Sequence, residues 1–177
     1  MHLQSDKCYF YSIPMTWLTN ASEEDIERIW RRVVSRGLDS IPLPAPFRGT
    51  VKPCLVSTYR RDTRGNIQVC FNDKSQKHHI IVHVLSYARH YKEIPGCNGR
   101  QPITEVSHLC HRHQCCEPSH LVIESSKQNH SRKNCVGFVW SSRYAEWISV
   151  CDHQPRCLTV KVRHEDLKCN QTNRIDL

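Results

Sequence analysis

Ser107-His108-Leu109-Cys110-His111, followed closely by Cys115-Cys116-Glu117-Pro118-Ser119-His120-Leu121, is the stretch on which the fold turns. Cys110-x4-Cys115-x4-His120 places two thiols and an imidazole in one tight loop. Structural zinc takes four such ligands in a closed tetrahedron, so a fourth must come from elsewhere in the chain. Downstream, Cys135-x15-Cys151-x-His153-x3-Cys157 is a complete second set, and its last three members are close enough to wrap one ion. His108 and Asn129 stay outside both sets. A neutral imidazole two residues before a zinc ligand, with an amide oxygen one short helix later, suits general-base work beside a hard, oxygen-preferring cation such as Mg²⁺.

The rest of the composition agrees with a metal-stapled domain. Only 38% of the 177 residues are hydrophobic, so the core is modest. Metal binding free energy then becomes folding free energy. Eleven cysteines, an odd number clustered with histidines, argue for metal over disulfides. The net charge of +8 favours nucleic acid or another polyanion as partner. No apolar run approaches the roughly 20 residues of a membrane span, and Met1 to Asn20 lacks a signal peptide's apolar core. The expectation is a soluble intracellular protein.

Along the chain, Ser22-x-x-Asp25 resembles a capping box, and Ile26, Ile29, Trp30, Val33 and Val34 follow a helical period until Gly37. The outer face of that helix is basic, with Arg28, Arg31, Arg32 and Arg36. Ile41-Pro-Leu-Pro-Ala-Pro-Phe47 reads as a linker. Residues 1–47 are therefore an arm, a helix and a linker, and 48–177 are the core with its tail. Cys54 to Arg61 and Asn66 to Asn72 read as two strands joined by Asp62-Thr-Arg-Gly65, with Ile67, Val69 and Phe71 on one face and Gln68, Cys70 and Asn72 on the other. Such a ribbon fits the major groove of DNA, and Arg60, Arg61, Arg64, Gln68 and Asn72 are its candidate readers. His78 to Tyr91 has helical periodicity; its histidines, His78, His79, His83 and His90, read as surface or groove-edge residues. From Thr104 a strand rises to His108, a loop follows, Leu121 to Glu124 returns, and Ser125 caps a helix bearing Asn129. Leu158 to Val162 alternates like a strand before a polar tail, His164 to Leu177.

Together, Ser107-His108-Leu109-Cys110-His111, Cys115, Pro118-x-His120-Leu121, Glu124-Ser125, Asn129, Asn134-Cys135 and Cys151-x-His153-x3-Cys157 closely resemble the His-Cys box homing endonucleases. These are intron-encoded members of the ββα-metal nucleases. The resemblance covers Ser107 to Cys157 and extends upstream to about Cys54. The interval from Cys135 to Cys151 is longer than the family pattern, which points to an inserted loop around Phe138 to Trp147. The resemblance implies an α+β fold of small antiparallel sheets and helices around a ββα-metal motif, stapled by two structural zinc sites. It implies an upstream cysteine as the fourth ligand of the first site: Cys54 fits best, with Cys70 and Cys97 as rivals. Within the loop, His111 and His113 compete with His120, and Cys116 with Cys115.

The resemblance further implies a Mg²⁺-dependent endonuclease that leaves 5′-phosphate and 3′-hydroxyl ends. His108 would be its general base and Asn129 its Mg²⁺ ligand. Lys74 and Lys77 lie at roughly the distance where the family has a basic group near the scissile phosphate. Where the resemblance implies an apolar wedge at the start of the catalytic helix, this chain has Ser126. A homodimer cutting a long, roughly palindromic site, with a nuclear location, follows from the family as well, as does a tail that crosses to the partner subunit. Two rivals differ in class: a non-catalytic zinc-stabilised DNA-binding regulator on the same scaffold, which has no use for His108 and Asn129, and a cross-brace interaction module. In the latter the ligand pairs would alternate between ions, whereas here the last four ligands follow all the others.

Overall fold

Ser22 caps the helix α1 (Glu23–Ser35): its hydroxyl accepts from the Asp25 amide at 3.1 Å, and Glu23, Glu24 and Asp25 place negative charge at the positive end of the helix dipole. The structure, a computed structural model, describes residues 17–63, 65–98, 101–102 and 104–160. Arg64, the arm before residue 17 and the tail from His164 lie outside the described residues, as do Cys8 and Cys169.

Among the described residues the main elements follow the order α1, β1 (Leu38–Ile41), β2 (Cys54–Ser57), β3 (Gln68–Asp73), β4 (Gln76–Ile81), α2 (Val82–Tyr91), β5 (Cys97–Asn98), β6 (Gln101–Pro102), β7 (Glu105–His108), β8 (Leu121–Glu124), α3 (Ser126–Arg132), β9 (Phe138–Ser141) and β10 (Glu146–Ser149). Among the described residues every sheet is an antiparallel pair: β1 with β2, β3 with β4, β5 with β6, β7 with β8 and β9 with β10. Two-stranded ribbons are marginal alone and must lean on helices or metal.

The main core supplies that support. Ile29, Trp30 and Val33 of α1 pack with Val69 and Phe71 of β3, Ile80 of β4, Leu85 and Ala88 of α2, and Val106 and Leu121 of the β7–β8 pair. Arg89 ties the two longer helices: it bonds Glu27 at 2.6 Å and lies over the Trp30 ring. A smaller cluster contains Leu43, Phe47, Cys54, Val56, Cys110 and Cys115. Apolar side chains there surround thiols.

The structure corrects the sequence reading in four places. Cys54 to Ser57 does not pair with Asn66 to Asn72; its neighbour is β1, with Ile41 opposite Cys54, and only the isolated Arg61–Ile67 bridge joins the two segments expected to form a hairpin. Gln68–Asp73 pairs instead with Gln76–Ile81 across Lys74 and Ser75, which take positive φ values of 44° and 68°. A two-residue turn of that handedness matches the twist of the strands, although it usually calls for Asn-Gly rather than Lys-Ser. The helix expected from His78 begins at Val82, because Gln76 to Ile81 is claimed by the ladder first. In the Pro-rich stretch Leu43 and Phe47 are 2% and 6% exposed, so it packs instead of merely linking. Periodicity cannot choose a strand's partner, and residues shared by a 2-residue and a 3.6-residue period are ambiguous.

Val34, expected on the apolar stripe of α1, is 47% exposed, whereas Leu85 is fully buried. Replacing Leu85 by Ala should cost about 2–5 kcal/mol, and Val34→Ala should stay within about 0.5 kcal/mol. Urea unfolding of the zinc-loaded protein measures both; equal losses would contradict this packing.

Candidate active site and metal centres

The β7–β8 ladder closes the first metal loop. His108 pairs with Leu121 and the Leu109 amide bonds the His120 carbonyl at 2.8 Å, so the two ends of the loop meet beside Cys110. A single 3₁₀ turn, Pro118–His120, capped by the Glu117 carboxylate, presents the His120 ring. The far side of the loop is laced to β2: Cys115 bridges Val56, and the Cys116 amide bonds the Leu55 carbonyl at 2.7 Å. This lacing delivers Cys54. Cys54, Cys110, Cys115 and His120 are all buried, with their ligand atoms within 4.8 Å of one another. His120 Nδ1 lies 3.6 Å from Cys54 Sγ and 3.5 Å from Cys115 Sγ. A tetrahedral zinc with Zn–S near 2.3 Å and Zn–N near 2.0 Å requires S···N separations of about 3.5 Å. The donor set therefore fits zinc in both chemistry and spacing.

The rival ligands lie elsewhere. Cys70 is exposed on β3, its Sγ 3.0 Å from Nδ1 of His79 across the ladder. Cys116 turns into the main core, where burial pushes its thiol up to about 12. His113 is exposed and His111 half-buried. The side chain of Cys97 is outside the described residues.

The second cluster, Cys135, Cys151, His153 and Cys157, also has its ligand atoms within 4.8 Å of one another. His153 Nδ1 stands 3.4 Å from Cys151 Sγ and 3.7 Å from Cys157 Sγ, again the spacing of a tetrahedral zinc. The long interval between Cys135 and Cys151 is the β9–β10 hairpin. Its open end, where the Val150 amide bonds the Gly137 carbonyl at 2.9 Å, sets Cys151 beside Cys135. Gly137 has φ +79°, and a Cβ there would fall 2.0 Å from the Thr159 carbonyl oxygen, so no other residue fits. Burial pushes the Cys151 thiol up, but the Cys157 and His153 amides and the His153 ring bring it down to about 7.

Arg132, the last residue of α3, is 2% exposed and joins this cluster to the rest of the fold. Its Nε donates to both oxygens of Glu124 on β8 at 2.8 and 2.9 Å, and its Nη1 to the Pro155 carbonyl at 2.8 Å and Cys157 Sγ at 3.4 Å. Ser131, one residue earlier, lies 2.8 Å from Nε2 of His153, the ring nitrogen that faces away from the thiols. Such outer partners orient metal-binding imidazoles.

Between the two clusters stand the expected catalytic residues. His108 ends β7, half-buried. Its Nε2 is 3.0 Å from the Cys115 carbonyl. A carbonyl can only accept, so Nε2 carries the proton and Nδ1 keeps a lone pair. Burial lowers the His108 pKa to about 4, against the pull of that carbonyl, and leaves the ring neutral. His83 packs edge-to-face on it, 4.3 Å between centroids. His83 is 8% exposed and held well below its usual pKa by burial and by nearby His108 and His113. The sequence reading placed His83 at the surface or a groove edge; Val82 to Ala88 are all buried, so α2 has no exposed face at that level.

Asn129 sits in the middle of α3, whose N-cap Ser125 accepts from the Gln128 amide at 3.2 Å. Its Nδ2 donates to Glu105 Oε2 at 2.6 Å, and its Oδ1 accepts from Ser107 Oγ at 3.0 Å. Asn129 is thus bonded to the residue immediately before His108. Its neighbours Glu105, Ser107 and Ser126 offer only oxygen, the donor chemistry of a hard cation. Glu105, Ser131 and Arg132 went unnoticed in the sequence because no motif spacing marks a hydrogen-bond partner.

Of the expected DNA readers, Arg60, Arg61, Asn72, Lys74 and Lys77 are exposed. Gln68 is half-buried and donates to Asp62 at 2.9 Å. Asn72 and Lys77 are cross-strand partners on the outer face of the β3–β4 ribbon, together with Cys70 and His79. Arg64 is outside the described residues. No helix among them is long and apolar enough to cross a membrane.

Two Cys/His tetrads, the first wholly buried and the second half-buried, around a pair of short strands and a helix define a zinc-binding domain of mixed helices and small antiparallel sheets. A family model described as the zinc-binding loop region of homing endonuclease matches residues 52–170. The chain belongs to this family, the His-Cys box homing endonucleases. No curated protein matches the chain.

Metal analysis should find two zinc ions per chain. Cys54→Ser and Cys151→Ser should each lose one, and Cys70→Ser should lose none. Structural zinc binding is worth about 10–16 kcal/mol, comparable to the whole stability of a domain, so strong chelation should abolish cooperative thermal unfolding. Retention of that transition after both ions are gone would refute the structural role. Separately, Arg132→Met strands Glu124 without its cation and should cost about 3–5 kcal/mol. Adding Glu124→Gln to Arg132→Met should recover part of this loss in urea unfolding, and strict additivity would contradict the pairing.

Proposed function

We propose that the protein is a site-specific, Mg²⁺-dependent DNA endonuclease of the intron homing type, a homodimer that makes double-strand breaks at a long, roughly palindromic site in nuclear DNA. Membership of the homing endonuclease family supports the nuclease class. The observation that carries the mechanism is the bond from His108 Nε2 to the Cys115 carbonyl, which leaves Nδ1 of a neutral ring as a base. His108 Nδ1 takes a proton from the attacking water. The water oxygen bonds to phosphorus as the P–O3′ bond breaks, and the departing O3′ takes a proton from solvent water, leaving 5′-phosphate and 3′-hydroxyl ends. Asn129 Oδ1 has a second lone pair beyond the one facing Ser107 and would hold the magnesium ion. When bound, that ion supplies relief of charge at the phosphate and support for the departing oxygen.

The two zinc ions are structural in this reading, since protein side chains fill all four positions of each. The ββα-metal motif is β7, β8 and α3. Lys74, Lys77, Arg60, Arg61 and Arg64 meet phosphates, while Gln68 and Asn72 face the major groove from a ribbon of suitable width. A two-fold protein cuts both strands because each active site cuts one, and a palindromic site mirrors that symmetry.

Zinc-loaded protein should cut a plasmid library at discrete sites with Mg²⁺ and not with EDTA. His108→Ala and Asn129→Ala should each lower cleavage by about 10²-fold or more and keep DNA binding in gel-shift assays. Specific binding without cutting by the wild type would instead assign the regulator role.

A further inference from the structure

Among the described residues no cation pairs with the Glu105 carboxylate. The ion pairs among the described residues are Arg28–Asp25, Lys52–Glu117, Arg89–Glu27, Lys92–Glu23 and Arg132–Glu124; Glu105 is in none of them. It stands directly across the ladder from Glu124, a like charge, whose own oxygens are both taken by Arg132. Like charges opposed on a ladder are destabilising. A residue kept at such a position for stability alone is poorly chosen.

Its bonds point to a different use. Glu105 Oε1 accepts from Ser126 Oγ at 2.7 Å and Oε2 from Asn129 Nδ2 at 2.6 Å. An ionised carboxylate only accepts, so it dictates which end of the Asn129 amide faces it. Nδ2 must turn to Glu105, and Oδ1 is thereby aimed away, toward Ser107. The amide is a neutral and weak ligand for a divalent cation, whereas ligand charge tunes affinity strongly. The uncompensated charge of Glu105 stands one hydrogen bond from that amide.

We propose that Glu105 is the positioning residue of the Asn129 cation site, fixing the orientation of the amide and supplying the negative charge that the amide lacks. The inference rests on the reading of Asn129 as a cation ligand. It makes the cation site a Glu–Asn pair with Ser107 and Ser126 as its hydroxyl supports. It also separates two contributions. Glu105→Gln keeps an acceptor for Nδ2 and removes the charge; Glu105→Ala removes both; Glu105→Asp keeps the charge on a shorter arm.

The test titrates Mn²⁺ into the zinc-loaded full chain and reads free Mn²⁺ by electron paramagnetic resonance, with circular dichroism as a check on folding. The wild type should bind Mn²⁺ and Asn129→Ala should not. Glu105→Gln should weaken binding about tenfold, as expected for losing one charge near a divalent ion, Glu105→Ala at least as much, and Glu105→Asp less. In cleavage assays the Glu105→Gln deficit should be rescued by raised Mg²⁺, while Asn129→Ala should not respond. Unchanged Mn²⁺ affinity in Glu105→Gln overturns the proposal and leaves the Asn129 reading intact; because Gln is nearly isosteric, it decides the matter even if the Ala variant fails to fold. No Mn²⁺ binding by the wild type overturns both. Normal Mn²⁺ binding, weakened in Glu105→Gln, with no cleavage of any DNA would remove the nuclease reading and keep the role of Glu105.

Discussion

Three buried thiols and an imidazole brought within 4.8 Å of one another form a constraint that a chain this polar cannot meet with apolar packing alone. Without metal, the three thiols cannot all ionise together. Thiol hydrogen bonds from Cys110 and Cys115 draw the Cys54 pKa down, while bonding to Cys110 and Cys54, then burial, pushes Cys115 far up, so the negative charge settles on one sulfur. A zinc ion lets all three thiols deprotonate together, which couples metal binding to folding and to proton release. The surrounding apolar cluster of Leu43, Phe47 and Val56 is small, and its centre is the ligand set itself. The second cluster is smaller still in apolar support, and Arg132 compensates for that by tying its loop to β8 and α3.

This arrangement places His108 and Asn129 on supports that are themselves held from two sides. The carbonyl that orients His108 belongs to Cys115, a ligand of the first cluster. The helix that carries Asn129 ends in Ser131 and Arg132, which touch His153 and Cys157 of the second. Each half of the candidate active site is thus anchored to one metal centre by a single hydrogen-bonded step. In such a design, functional groups sit on rigid elements with their rotamers locked by outer contacts. The exposed β3–β4 ribbon lies apart from both anchors and is stiffened by its inner face, where Phe71 meets Trp17 edge-on at 4.7 Å.

Much of the metal chemistry is legible in the residues. Cys151-x-His153-x3-Cys157 is a local spacing, and local spacing survives folding because a short loop has few ways to arrange its ligands. The β7, β8 and α3 boundaries are legible too: Ser125 before a polar helix is a cap wherever it occurs, and Val106, Leu121 and Ile123 mark strands that return on one another. The pairing of β2 was misread for the opposite reason. Cys54 to Ser57 fits a ladder with several neighbours equally well, and the chain chose β1 and the metal loop because Cys54 is drawn toward Cys115. His83 was misplaced because α2 is buried on every side from Val82 to Ala88, so an apolar stripe at Val84, Leu85 and Ala88 leaves no exposed face for it.

The sequence by itself marked the candidates for the chemistry: the two Cys/His sets, which the structure brings together, and His108 and Asn129, which stand out because they fall at short intervals from those sets. Tertiary structure alone decided which partners those groups keep. Glu105 meets Asn129 across 24 positions, Arg132 reaches Cys157 across 25, and Cys54 meets His120 across 66. Contacts at such separations depend on how ladders close and helices dock, and no local pattern of residues encodes that closure.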